Sequence, residues 1–222
     1  EEDLATKRDA CFALANIADS LELQGDLVRE GTIRVLCDTA KHDDARVQRD
    51  TARCLSTLTQ TEDIRGEIIN QNALAAVLVL ARSLDIACQR YATLTLCNLC
   101  SGEHKMRIVE EGAIRPLIFL ARFPDTEIQR YASLALAGLA LGGHGQNKSR
   151  IVEEGSMRPI VDLVKFPDRE VSVSATLAVN CIALGLEQNT KTAVMSEAGI
   201  QPLVEMAAGE DEELVSAAVY AL

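Results

Sequence analysis

The sequence predicts an all-α fold of stacked helical units, and three observations predict it. One stretch is written twice. RIVEEGAIRPLIFLARFPD over 107–125 and RIVEEGSMRPIVDLVKFPD over 150–168 are identical at 12 of 19 aligned positions. Equivalent apolar positions recur at Leu14, Leu55, Leu96, Leu136, Val179 and Leu222, with gaps of 41, 41, 40, 43 and 43 residues. Composition agrees: 48% of residues are apolar but only 3% aromatic, Trp is absent, and no segment alternates apolar and polar residues as a strand does. A period near forty residues marks an array of supersecondary units, none of which buries its apolar face alone.

Each unit divides in three. A short charged segment such as HKMRIVEEG opens it. Gly31, Asn72, Gly112, Gly155 and Gly199 end that segment. Gly and Asn are the residues that close a helix in the left-handed conformation. An amphipathic segment such as AIRPLIFLARF follows, with Pro116, Pro159 and Pro202 near its start, where a proline costs no intrahelical hydrogen bond. Pro124 and Pro167 then break the chain. Acidic residues after those prolines favour the N-terminus of a third, longer helix such as YASLALAGLALG. Asp43-Asp44 and the run from Glu210 to Glu213 stand at the same place in their units. Ala132, Ala135, Ala137 and Gly138 give the third helix small faces that let neighbours approach closely.

Second-helix stretches EEGAIRPL, EEGSMRPI and EAGIQPLV, with third-helix stretches ACFALANIA, YATLTLCNLC and YASLALAGLA, resemble the armadillo-repeat family across essentially the whole chain. Within it, the chain looks like vacuolar-scaffold-type and armadillo-only protist proteins. The resemblance implies a right-handed α-solenoid of about five three-helix repeats plus a leading partial repeat. The expected division is a partial unit at 1–19, repeats at about 20–60, 61–101, 102–143 and 144–186, and an incomplete repeat at 187–222.

The same resemblance implies a concave groove lined by the third helices, where an Asn near each helix end bonds the backbone of an extended peptide. That position holds Asn16, Thr57, Asn98, Gly138 and Cys181. Two turns earlier on the same face come Asp9, Asp50, Tyr91, Tyr131 and Ser174. The expected groove is therefore acidic at one end, with two tyrosines whose apolar rings and polar tips suit recognition. A ladder of Arg8, Arg49, Arg90 and Arg130 flanks it. These guanidinium groups either hold acidic groups of a partner or pair with neighbouring carboxylates, and the second reading is favoured. Importin-α resembles this layout but uses repeated Trp beside the Asn. Here Phe12, Arg53, Leu94, Leu134 and Leu177 fill those places, so that mode of recognition is not expected.

Charge narrows the partners. A formal net charge of −11 and a pI near 4.8 argue against nucleic acid and anionic membranes. They suit a basic or neutral protein or peptide. The longest apolar run, Ala73 to Ala81, is too short to span a bilayer. Seven cysteines sit mostly in apolar helical patterns and suggest a reducing, cytoplasmic setting, with any tether to an organelle outside this fragment.

Catalytic and metal motifs fail on spacing. LGGHGQNKSR nearly spells a phosphate loop, but Asn147 stands where Gly is required and no strand precedes it. It reads instead as the connection between a third and a first helix. Cys97, Cys100 and His104 offer a metal three ligands with no fourth. His42, His104 and His144 fall in loops, with no nucleophile and carboxylate placed beside them. The leading expectation is a non-catalytic scaffold without cofactors. The alternatives are a regulatory or targeting arm of a larger enzyme, such as a ubiquitin ligase or nucleotide-sensing hydrolase, and self-assembly through uncapped terminal units.

Overall fold

The structure is a computed structural model that describes residues 2–141, 145–184, 201–209 and 211–221. The expectations made for Gly142, His144, Gly199, Glu210 and Leu222 lie outside the described residues. The described residues are helical throughout, without a strand, and gather into two compact units, Glu1–His104 and Lys105–Leu222.

In the first unit, three long helices lie in a row: α1 (Glu2–Ala18), α4 (Ala45–Leu58) and α7 (Ile86–Cys100), with α4 packed on both others. Behind them α3 (Thr32–Thr39) packs on α4, and α6 (Leu74–Leu80) packs on α4 and α7. The short helices α2 (Leu21–Arg29) and α5 (Glu62–Asn70) pack on each other. The second unit repeats the scheme. Its long helices are α10 (Thr126–Ala140), α13 (Arg169–Ala183) and α15 (Glu212–Ala221), with α13 against both others. Backing them are α9 (Ile114–Ala121), α12 (Met157–Val164) and α14 (Gln201–Ala207), and the short helices are α8 (Lys105–Glu110) and α11 (Gly145–Glu153). Leu55, Leu96 and Leu136, picked out by the period, are at most 1% exposed. Each such side chain contributes about 1.5–3 kcal/mol on burial.

The glycine landmarks behave as their chemistry requires. Gly31, Gly112 and Gly155 have φ of 83°, 84° and 78°, and Asn72, in the same register, has φ of 59°. At the last three the chain closes the short helix with paired bonds, such as Ala113 N–H to the Ile108 carbonyl at 3.3 Å and Gly112 N–H to the Val109 carbonyl at 3.1 Å. This is the left-handed cap that pairs carbonyls the helix end would otherwise leave open.

Long helices begin on aspartate. The carboxylates of Asp44, Asp85, Asp125 and Asp168 accept backbone N–H bonds in the first turns of α4, α7, α10 and α13. Two of these caps also accept the arginine of the preceding long helix: Arg8 Nε donates to Asp44 and Arg49 Nε donates to Asp85, both at 3.1 Å. In the second unit Arg169 Nε donates to Asp211 at 2.8 Å. The Arg8 guanidinium holds the Asp44 carboxyl well below the usual carboxylate range, and Arg49 does the same to Asp85 in lesser degree. Arg8, Arg49 and Arg130 of the ladder thus pair with carboxylates of this chain.

A second ladder ties the far ends of the long helices. Lys105 Nζ donates to the Leu141 carbonyl at 2.6 Å, Lys148 to the Leu184 carbonyl, and Arg65 to the Ser101 hydroxyl at 3.2 Å. Each spans 36 residues. Lys148 therefore has a structural partner. It lies on helix α11 with Asn147 and Ser149, which corrects the reading of that stretch as a connection.

Candidate functional site

A long helix packed on its neighbours leaves one stripe of side chains to solvent. On α4 that stripe is Arg46, Arg49, Arg53 and Thr57; on α7 it is Arg90, Tyr91, Leu94 and Asn98. On α10 it is Glu127, Arg130, Tyr131 and Leu134, and on α13 it is Glu170, Val173 and Leu177. Spacing of three and four residues keeps each set on one helical face. Asn16 and Asp9 are exposed on α1.

Two expected residues separate from the stripe. Asp50 is buried, 8% exposed, although Asp9 in the same register is open. Asp50 follows Arg49 by one residue, roughly 100° round the helix, which turns it into the seam with a neighbour. Ser174, in the same row, is 5% exposed. Tyr91 and Tyr131 occupy the row too, but their length carries them out to partial exposure. Burial pushes the Asp50 carboxyl above its ordinary range, and its Oδ2 has no hydrogen-bond partner.

The two asparagines are held in defined orientations. Arg53 Nη2 donates to Asn16 Oδ1 at 2.6 Å, and a guanidinium is a donor only, so the Asn16 NH2 faces outward. Arg53 also reaches Asp19 at 3.2 Å and lies 5.7 Å from the Phe12 ring centre. On α7, Asn98 Nδ2 donates to Thr59 Oγ1 at 3.2 Å. The Thr59 hydroxyl already donates to the Leu55 and Ser56 carbonyls, so it can only accept from Asn98. That leaves Asn98 Oδ1 without a partner among the described residues. The first unit therefore offers a fixed amide donor at Asn16 and a fixed acceptor at Asn98. Thr57 bonds the Arg53 carbonyl of its own helix at 3.1 Å and lies near Asp19.

In the second unit the same position holds Gly138 and Cys181, both buried, so no amide stands there. The face is built instead round a shallow cavity of about 430 Å³ between α10 and α13. Tyr131, Leu134, Val173 and Ser174 line it, with Arg130, Arg169 and Glu170 at its rim. Arg130 lies 4.7 Å from the Tyr131 ring centre and donates to the Tyr131 hydroxyl at 2.8 Å.

Sequence reasoning passed over Arg53, Leu94, Leu134 and Val173 as site residues. The signal was present: Arg53, Leu94 and Leu134 stand four residues before Thr57, Asn98 and Gly138, one helical turn along the same face. His104 lies in the loop after α7 and lines a separate cavity of about 300 Å³ with Glu62, Asp63 and Glu103. Among the described residues, no three His, Cys, Asp or Glu side chains could hold a metal ion. No described helix is long and apolar enough to cross a membrane.

Known proteins sharpen this picture. A family model described as the armadillo/beta-catenin-like repeat matches residues 103–141. An engineered protein of solved structure is 27% identical, with 97% of this chain and 88% of that one covered, at a TM-score of 0.87. Another engineered protein is also 27% identical, with 100% of this chain and 54% of that one covered, at a TM-score of 0.91. A designed armadillo repeat protein, solved in complex with the peptide (KR)4, is 21% identical, with 96% and 90% covered, at a TM-score of 0.86. No curated protein sequence is significantly similar to the chain. Fold and helix pattern together define an all-helical repeat protein of the α-solenoid class. Residues 103–141 match the armadillo repeat, and the described residues share the fold of designed armadillo repeat proteins.

Proposed function

We propose that the chain is a non-catalytic scaffold that binds an extended segment of a partner protein along the exposed stripe of its long helices. One observation carries this reading: Asn16 and Asn98 are fixed by Arg53 and Thr59 so that one presents a donor and the other an acceptor. An extended peptide backbone offers both complements along its length. Tyr91 supplies a partly exposed ring on the same unit, and Tyr131 a partly exposed ring on the stripe of the second unit. The peptide complex of the designed armadillo protein supports the same use of the fold. Asp9, without an ion-pair partner among the described residues, and the net charge of −11 favour a basic or neutral segment over nucleic acid. Residues 1–222 act as one repeat domain, with a cytoplasmic place of action.

A displayed library of short peptides tests the reading. Wild-type protein should select extended sequences, and the double variant Asn16→Ala, Asn98→Ala should lose about tenfold or more in affinity for them. Selected peptides that bind the double variant and wild type equally would sink the proposal.

A further inference from the structure

Arg130, at the cavity between α10 and α13, is paired differently from Arg8 and Arg49. Arg8 and Arg49 each pair with an aspartate whose side chain is only 15% exposed and which also caps the next helix. Those carboxylates are committed twice. Arg130 does not use the cap of the next helix. Asp168 caps α13 through Val171, while Arg130 pairs with Glu170. Glu170 carries no cap bond, and its side chain is 66% exposed against 27% for Arg130. The cation is thus fixed, over the Tyr131 ring and bonded to its hydroxyl, and its carboxylate partner is loose. An ion pair with so exposed a member is weak and exchanges readily.

The rest of the cavity fits an incoming anion on an apolar stem. Leu134 and Val173 line it, together with Arg169, whose guanidinium pairs with Asp211. Glu170 stands where a ligand carboxylate would bond Arg130. We infer that this subsite accepts a glutamate or aspartate side chain of the bound segment, which displaces Glu170 from Arg130 while its stem rests on Leu134 and Val173. The inference rests on the groove reading above and adds to it: a partner that is basic or neutral overall carries one acidic residue for this place.

Short labelled peptides of alternating leucine and glutamate, with matched leucine–glutamine and lysine–arginine peptides, test it by fluorescence anisotropy. Wild type should bind the glutamate peptide about tenfold more tightly than the glutamine peptide, less so as salt is added. Arg130→Gln should abolish that preference and leave the lysine–arginine peptide unaffected. Glu170→Gln removes the internal competitor and should strengthen glutamate-peptide binding several-fold, a gain that damaged folding cannot imitate. Equal binding of the glutamate and glutamine peptides, or a Glu170→Gln variant that gains nothing, overturns the inference. If library-selected peptides still need Asn98, the groove reading survives that result. If no peptide of any composition binds wild type, both readings fall together.

Discussion

Asp85 serves two purposes, and two substitutions separate them. Its carboxylate accepts the Cys88 N–H at 2.8 Å as the cap of α7, and it pairs with Arg49 on α4. Asp85→Asn keeps an oxygen for the cap and removes the charge; Asp85→Ala removes both. A side-chain cap contributes about 1 kcal/mol. The ion pair, with Arg49 45% exposed, contributes at most about 0.5 kcal/mol after solvent screening. For a chain of this size, about 1 kcal/mol moves Tm by about 2–4 °C. The Asn variant should therefore melt about 1–2 °C below wild type and the Ala variant about 3–6 °C below, followed by circular dichroism at pH 7. Acid adds a second check. Arg49 lowers the Asp85 carboxyl in the folded state, so its ionised form stabilises the fold fully above the unfolded value near 4. That contribution disappears as pH falls through the lower folded value. The gap between wild type and Asn should close in acid, while the gap between Asn and Ala persists. An Asn variant as unstable as the Ala variant at pH 7 would refute the cap as the larger contribution.

Other expectations follow from single positions. Gly112→Ala should cost about 1–2 kcal/mol in urea melts, wholly through its φ of 84°, because an added Cβ meets nothing within 4 Å. Asn72→Gly, at φ 59°, should be neutral or slightly stabilising by the same measurement, and a clear loss would count against the left-handed cap. Leu96→Ala empties a site with 0% exposure and should cost about 2–5 kcal/mol. Burial pushes the Cys54 thiol to about 12 and the Cys88 thiol to about 11, so mass spectrometry after brief iodoacetamide treatment should find native label on Cys37 and Cys97 instead.

Most of the architecture was legible because it is written in backbone chemistry. A glycine or asparagine every forty-odd residues states where the chain must take a positive φ, and the structure has it at all four described positions. Aspartate before α4, α7, α10 and α13 states where each of those helices starts. Period alone also chose the buried Leu55, Leu96 and Leu136, while Leu14, in the same register on α1, is only half-buried. The site was less legible, because exposure depends on one-residue differences of azimuth. Asp9 and Asp50 share a repeat position, yet only the neighbours of α4 decide that Asp50 is covered. The orientation of an amide is further still from sequence: nothing in the letters around Asn98 points to Thr59, 39 residues earlier, as the group that turns its oxygen outward. Stacking brings the two together, and only then do the donor and acceptor inventories settle the geometry.

The pairing ladders also decide what charge a partner meets. Arg8, Arg49 and Arg169 give their guanidinium groups to carboxylates of the next long helix, so each such pair presents little net field beyond a Debye length. The sign of the exposed stripe is then set by the groups left over. In the first unit these include Asp9, while Arg53 is turned back onto Asn16 and Asp19. In the second unit Arg130 pairs with Glu170, where the cation is anchored and the anion is not. On the reading proposed above, total charge sets the bulk preference of a bound segment and the Arg130–Glu170 pair sets an exception to it. Arginines that stack the repeats would then also recognise an acidic residue at the pair whose anion is exchangeable.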